Sequence, residues 1–368
     1  MAFSPKIYCY SFVLFELGGV KSLLYTLIFF IFINSASFGQ NNKEFKVLTI
    51  AFYNVENLFD YENDPLTFDD DYTPDGKNNW TKEIYEAKIA NIARVISEIG
   101  ADQSGTSPAL IGLCEIENRR VLEDLVNHKH LLKDDYGIVH FDSPDRRGID
   151  VALLYKKKLF TPINYVAKEL LIYDDVDTSK RVYTRDQLLV SGMLDGEKIS
   201  VIVNHWPSRR GGEERSRPKR ISAAKLNKKI IDSLFSEDPY SKIITMGDFN
   251  DDPINPSIKK TLKVKGRNKD LKLKEFYNPM EALYKKGQGT LAYRDNWNLF
   301  DQIIISTELT LKDYSSYRFY KAGIFNKNYL INQRGRYKGY PFRSFSGGFT
   351  GGYSDHFPVY IYLIKEKN

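Results

Sequence analysis

Cysteine is nearly missing from this 368-residue chain, in which Cys9 and Cys114 are the two. If the first leaves with an N-terminal leader, no internal disulfide can form, and stability must come from a core rather than covalent staples. The segment from Lys43 to Lys365 also lacks internal repeats, heptads and low-complexity linkers, so it does not read as a solenoid, a coiled coil or a string of small modules. A strong charge of one sign is missing too. The 53 basic and 47 acidic residues leave +6, which by itself identifies no partner. What is present is 42% hydrophobic, 14% aromatic and 27% charged residues, a globular composition that excludes disorder and collagen-like classes.

The longest apolar run, Leu23 to Ile33 (LLYTLIFFIFI), is too short to span a bilayer comfortably. Lys21 precedes it and small residues at Ser37 and Gly39 follow, the order of a secretory signal. The expectation is a leader over 1–39 and a single domain over 40–368, with the product periplasmic or extracellular. The segment Met1 to Gly19 makes this leader long, and translation starting at Val20 would give a compact one. The alternative is an N-terminal membrane anchor.

Short apolar runs of strand length recur at Phe45–Tyr53, Ala109–Cys114, Ile149–Tyr155, Ile199–Val203, Lys242–Met246, Gln302–Ser306 and Pro358–Leu363. Helical spacing appears in the stripe from Ile84 to Ile99 that stops at Gly100, in Arg119–Leu132 and in Ile221–Phe235. Strands outnumber helices and several are consecutive. This pattern predicts an α/β (α+β) architecture, with two mixed β-sheets packed face to face and helices outside.

Nearly every strand ends in a polar cluster: Asn54, Glu115, Asn204-His205, Asp248 with Asn250, and Asp355-His356. Singly, each has a plain structural reading as a turn cap, an Asx-turn, a core histidine or a surface pair. Glu115 is harder to dismiss, because an unpaired carboxylate directly after a buried strand costs several kcal/mol. Together, at the ends of successive strands, they predict one polar floor on a rigid scaffold.

The blocks Gly247–Asn250 (GDFN) and Ser354–His356 (SDH), with YNVENLFD at Tyr53–Asp60, RGIDVALLY at Arg147–Tyr155 and NHWPSR at Asn204–Arg209, resemble the endonuclease/exonuclease/phosphatase superfamily. The likeness is to an often exported bacterial branch and runs from about Phe45 to Leu363. It implies a four-layer sandwich and a metal-dependent phosphoesterase. By the same resemblance, Asn54, Glu115 and Asp355 are metal ligands or neighbours of the metal, and Asp248 orients and deprotonates water. Asn250 positions the phosphate, Asp301 holds His356 as an imidazolium, and His205 donates to the transition state. Hard oxygens without thiolates suit Mg²⁺, with Mn²⁺ as a substitute.

Substrate choice is less legible. Arg209 and Arg210 open a segment with six basic residues reaching Arg220, and with Arg147 and Asn204 they are candidate phosphate contacts. The acidic Asp64–Asp75 loop argues the other way if it borders the same cleft. Gly347–Gly352 around Phe349 could flex over substrate or stack a base. The leading expectation is a nuclease acting on DNA or RNA as a monomer with no obligate protein partner. A lipid (sphingomyelinase-like) or inositol-phosphate headgroup and a non-catalytic phosphate-binding module are the alternatives. Cys114 is expected to be an inert buried thiol.

Overall fold

The computed structural model describes residues 43–174 and 177–367, and the expected leader lies outside them. From Phe45 onward the chain forms one compact unit. Among the described residues, no helix is long and apolar enough to cross a membrane.

Two six-stranded mixed sheets make the frame. The first contains β1 (Phe45–Leu58), β2 (Leu110–Ile116), β3 (Tyr136–His140), β4 (Asp150–Lys156), β15 (Arg318–Ile324) and β16 (Val359–Glu366), in the order β15-β16-β1-β2-β4-β3. The second contains β5 (Phe160–Lys168), β8 (Gln187–Leu194), β9 (Glu197–His205), β10 (Ile243–Asp248), β11 (Phe276–Tyr277) and β14 (Asp301–Ser306), in the order β11-β14-β10-β9-β8-β5. The pairs β6 (Ile172–Tyr173) with β7 (Arg181–Val182) and β12 (Leu291–Tyr293) with β13 (Asn296–Asn298) form two small hairpins. β1 runs parallel to β2, and β9 parallel to β10, at the centres of their sheets.

The period-2 alternation of a strand explains why these central strands are apolar on both faces. In β1, Leu48, Ile50 and Phe52 point to the core between the sheets, while Ala51, Tyr53 and Val55 point outward. There they meet α1 (Lys82–Glu98), through Ile89, Ile92 and Ile96, and α2 (Arg119–Asn127), through Val121, Leu122 and Leu125. In the second sheet, Val201, Val203, Ile244, Met246, Ile303 and Ile305 face the same inner core. Ile202, Ile243 and Ile304 instead face α3 (Glu213–Glu237), packed through Ala223, Ile231 and Leu234. Three apolar clusters between four layers are the expected sandwich. At Gly112 the opposite sheet leaves no room for a side chain, since a Cβ there would lie 2.8 Å from Met246 Sδ and 3.1 Å from Val203.

The strands and helices read from the sequence are all present, but the pattern missed β3, β5, β8, β11 and β15 and the strands of both small hairpins. The reason is clearest in β5. Pro162 cannot donate to a ladder, so the segment reads as non-strand, yet it lies at the edge of its sheet with a register shift between Pro162 and Asn164.

Candidate active site

The same alternation builds half of the floor. His205 follows Val201 and Val203 on the inner face of β9, Asp248 follows Ile244 and Met246 on β10, and Asp301 precedes Ile303 and Ile305 on β14. Asp248 is the cross-strand partner of His205 on one side and of Asp301 on the other, so the three form a row across adjacent strands. His356 arrives from the first sheet's side, just before β16. Ser354 fixes it there by donating to the Asn54 carbonyl (2.7 Å) and accepting the His356 N–H (3.1 Å). His356 Nδ1 lies 2.7 Å from Asp301 Oδ2, leaving Nε2 for a substrate.

The other half is delivered by irregular backbone. β1 shifts register between Asn54 and Leu58, with Glu56 and Asn57 at φ 53° and 52°, and β2 shifts between Cys114 and Ile116 with Glu115 at φ 63°. Leu110 and Cys114 face the inner core, yet Ile116 faces the helices with Ile111 and Leu113, because the bulge at Glu115 absorbs one step of the alternation. A non-glycine residue held in the left-handed region costs about 1 kcal/mol or more and turns its side chain out of the strand's rhythm. Glu115 Oε2 accepts the Asn57 N–H (2.9 Å). Its Oε1 has only long contacts, 3.4 Å to Asn54 Nδ2 and 3.9 Å to His205 Nε2. Asn54 Nδ2 also donates to Asp248 Oδ2 at 3.1 Å.

The two histidines are pushed in opposite directions. Burial would lower His356, but the Asp301 carboxylate, its hydrogen bond and the charges of Asp248 and Asp355 hold it well above its ordinary value, so it is an imidazolium. His205 is held well below by burial and by the cations of Arg185 and Arg147 together with His356, so it is neutral. Its Nε2 lies 3.8 Å from Asp248 Oδ2, and its Nδ1 is buried without a partner. Burial raises Asp248 to about 7, against the opposing pull of His356.

This donor set fits a divalent cation. Asp248, Asp301 and His356 bring polar atoms within 4.8 Å of one another, but His356 as an imidazolium has no lone pair for a metal, so the hard donors are the under-satisfied Glu115 Oε1 and the neighbouring Asn54. Asp355 does not join them. Its Oδ2 pairs with Arg343 (3.3 Å) and its side chain lines a neighbouring cleft, while its charge still acts on His356. Cys114 is buried and free, and its thiol is pushed up by burial and by the nearby carboxylates, so it is inert.

A cleft of about 730 Å³ opens over Glu115, His205, Asp248, Asn250 and His356. Arg147 and Arg210 line it, with Arg215 and Lys219 of the same basic segment and Arg146 beside Arg147, and so do Arg185 and Tyr183, which the sequence did not single out. Two candidate phosphate contacts are corrected. Asn204 lies on the helix-facing side of β9, fully buried, donating to Thr245 Oγ1 (2.9 Å) and the Met246 carbonyl and accepting from Asn227 (2.8 Å), so it ties β9, β10 and α3 together. Arg209 turns inward to the Asn250 carbonyl, Asp251 and Asp252. The rest of the basic segment divides likewise, since Arg217 pairs with Glu213 and the fully buried Arg220 with Asp251. Asn250 lines the cleft with its Nδ2 donating to the Trp206 carbonyl at 3.0 Å.

From the Asp64–Asp75 loop only Phe68 reaches this cleft, so the acidic side chains do not border it. The glycine-rich loop is not free to stack a base through Phe349, whose ring packs edge-on to Trp80 at 6.3 Å. Arg185 is the least legible member. It is buried, and it bonds Asp145 (3.0 Å) and the Trp206 carbonyl (2.7 Å), clamping two loops beside His205.

A family model described as the Endonuclease/Exonuclease/phosphatase family matches residues 49–365. No match was found among curated protein sequences. Solved structures share the fold. A humanized TDP2 from D. rerio superposes with a TM-score of 0.52 at 13% identity, covering 86% of this chain and 99% of that one. An endonuclease/exonuclease/phosphatase family protein from Bacteroides thetaiotaomicron gives 0.51 at 17% identity, with 88% and 97% covered. A mannosyl-6-phosphatase from Bacteroides thetaiotaomicron VPI-5482 gives 0.51 at 17%, with 86% and 99% covered.

Proposed function

Because the chain belongs to the endonuclease/exonuclease/phosphatase family, whose members are hydrolases acting on phosphoester bonds, we propose that it is an exported, Mg²⁺-dependent phosphodiesterase acting on DNA or RNA. The observation that carries this reading is the His205–Asp248–Asp301 row with His356, set beneath a rim of basic side chains. Export rests on the apolar run at Leu23–Ile33, and metal choice on the hard-oxygen donors of Glu115 and Asn54.

When bound there, the cation neutralises charge on the phosphoryl oxygens. Asp248, with its carboxyl near 7, accepts the proton of the attacking water, while Asn54 and the Asn250 N–H hold the carboxylate in place. His356 presents Nε2–H to a phosphoryl oxygen, its ring orientation and charge fixed by Asp301 at Nδ1. His205 stays neutral and orients by hydrogen bonding rather than by charge. Arg146, Arg210 and Arg215 have no carboxylate partner within 4 Å among the described residues, so their guanidinium groups are available to neighbouring phosphates.

The test is turnover of bis(p-nitrophenyl) phosphate, DNA, RNA, sphingomyelin vesicles and an inositol phosphate with Mg²⁺, Mn²⁺ or EDTA. Hydrolysis of nucleic acid that requires metal and weakens steeply with salt supports the proposal. A preference for a lipid or inositol headgroup replaces the nuclease reading.

A further inference from the structure

A second cleft, of about 630 Å³, meets the floor at Asp355, the neighbour of His356. One wall is the β12–β13 hairpin, whose two-residue turn holds Arg294 and Asp295 at φ 49° and 63°. The other is the segment 332–343. Tyr340 fastens the two together, its hydroxyl accepting the Asp295 N–H (2.7 Å) and donating to Asp295 Oδ1 (2.5 Å). The cleft is therefore framed by braced elements.

Its lining combines two unusual features. Tyr293 is 64% exposed and Tyr337 49%, so much of each side chain is open to solvent. Beside them, Arg294 lies 5.2 Å from the Tyr293 ring and Arg336 5.8 Å from the Tyr337 ring, and neither has a carboxylate partner within 4 Å among the described residues. Arg343, already paired with Glu56 and Asp355, closes the inner end. Exposed tyrosine rings, each beside a guanidinium without a carboxylate partner, suit a ligand that is planar and anionic at once. The remaining wall is mixed, with Leu291, Pro341 and Phe342 beside Asp295, Asn332 and Thr350, which gives a base both an apolar surface and hydrogen-bonding groups.

We propose that this cleft is a nucleotide subsite, in which a base of single-stranded nucleic acid stacks on Tyr293 or Tyr337 and a flanking phosphate pairs with Arg294 or Arg336. It rests on the phosphodiesterase reading above and extends it. With the scissile phosphate at His356, one flank of the strand follows the Arg146–Arg210 rim and the other enters this cleft.

The experiment compares the parent with the double variant Tyr293→Ala/Tyr337→Ala, both side chains being exposed, with circular dichroism matched. Hydrolysis of a short oligothymidylate is measured against bis(p-nitrophenyl) phosphate, and binding of the fluorescein-labelled oligothymidylate is measured by anisotropy in a metal-free His356→Ala background. The expected result is a roughly 10- to 100-fold fall in the ratio of kcat/KM for oligothymidylate to that for the small diester, with a comparable rise in Kd. Arg336→Ala should flatten the log-log salt dependence of binding by about one unit. Unaltered oligothymidylate binding by the double variant overturns the subsite and leaves the proposed function standing. A parent that cleaves the small diester but does not bind oligothymidylate overturns the nucleotide assignment. If the parent hydrolyses nothing with Mg²⁺, the proposed function fails, and the binding arm still decides the subsite.

Discussion

The two sheets end at the same floor by different means. The second sheet supplies His205, Asp248 and Asp301 from unbroken strands, each one step beyond the apolar residues of its inner face. The first supplies Asn54 and Glu115 where β1 and β2 lose register and turn into left-handed backbone. The difference tracks chemistry. The regular edge carries the groups to which the proposed function gives acid–base roles, with Asp248 and Asp301 almost fully buried in low dielectric. At the irregular edge the Glu115 side chain keeps 16% exposure and an under-satisfied oxygen, which a hydrated cation needs. A strand's rhythm places a side chain into the core's extension, and a bulge re-aims one out of it.

If that division holds, variants at the two edges fail differently. The largest loss is expected at the regular edge and the histidine facing it. Asp248→Asn and His356→Ala should each lower turnover by about 10²- to 10⁴-fold, and added Mg²⁺ should not restore it. Near-parental turnover in a folded variant would remove the dyad from the mechanism. At the irregular edge, Glu115→Gln keeps the length and loses the charge. The Mg²⁺ concentration for half-maximal activity should rise by roughly 10- to 100-fold, so that high metal rescues this variant, while EDTA silences the parent. If the two edges respond alike to added metal, the division is wrong.

A smaller effect, about tenfold, is expected for Asp301→Asn, which leaves the His356 ring in place. Here the sign matters. Asp301 raises the His356 pKa, and the proposed mechanism uses the imidazolium, so removing the charge should move the alkaline limb of the pH–rate profile to lower pH. An unmoved limb would mean that Asp301 only positions the ring. The smallest changes separate two neighbours on the rim. Arg210→Ala should raise KM for a DNA substrate a few-fold and flatten its salt dependence by about one unit. Arg209→Ala should leave that slope alone and cost about 1–3 kcal/mol of stability in urea unfolding, because it strips donors from Asp251 and Asp252.

Much of this was legible in advance. Apolar runs of strand length identified the parallel central pairs β1–β2 and β9–β10, and the polar residue just past the run identified His205 and Asp248, because alternation is a local rule that one chain segment carries by itself. Asp301, which precedes its run, was marked only by the family resemblance. The same rule, followed one residue further, separates His205 from Asn204. The pair reads as one polar cluster in the sequence, but its members face opposite sides of β9. Glu115 was legible only as a carboxylate after a buried strand. That a bulge would turn it toward His205 depends on β1 and β4 pairing on either side of it.

What the sequence determined by itself was therefore the periodic part: the layers, the two inner faces and the row of acid–base groups at their ends. The tertiary structure alone decided which charges are spent on one another. Arg209 and Arg210 are adjacent and chemically identical, yet one is consumed by Asp251 and Asp252 while the other lines the cleft. Asp355 and His356 are adjacent as well, and Arg343 draws the first away while Asp301 holds the second. Arg185 and Asp145 sit on loops 40 residues apart, and their pairing sets part of the positive field that keeps His205 neutral. Hydrophobic periodicity is written between near neighbours, whereas the pairing of charges is a contest among groups that only the folded chain brings within a few ångströms.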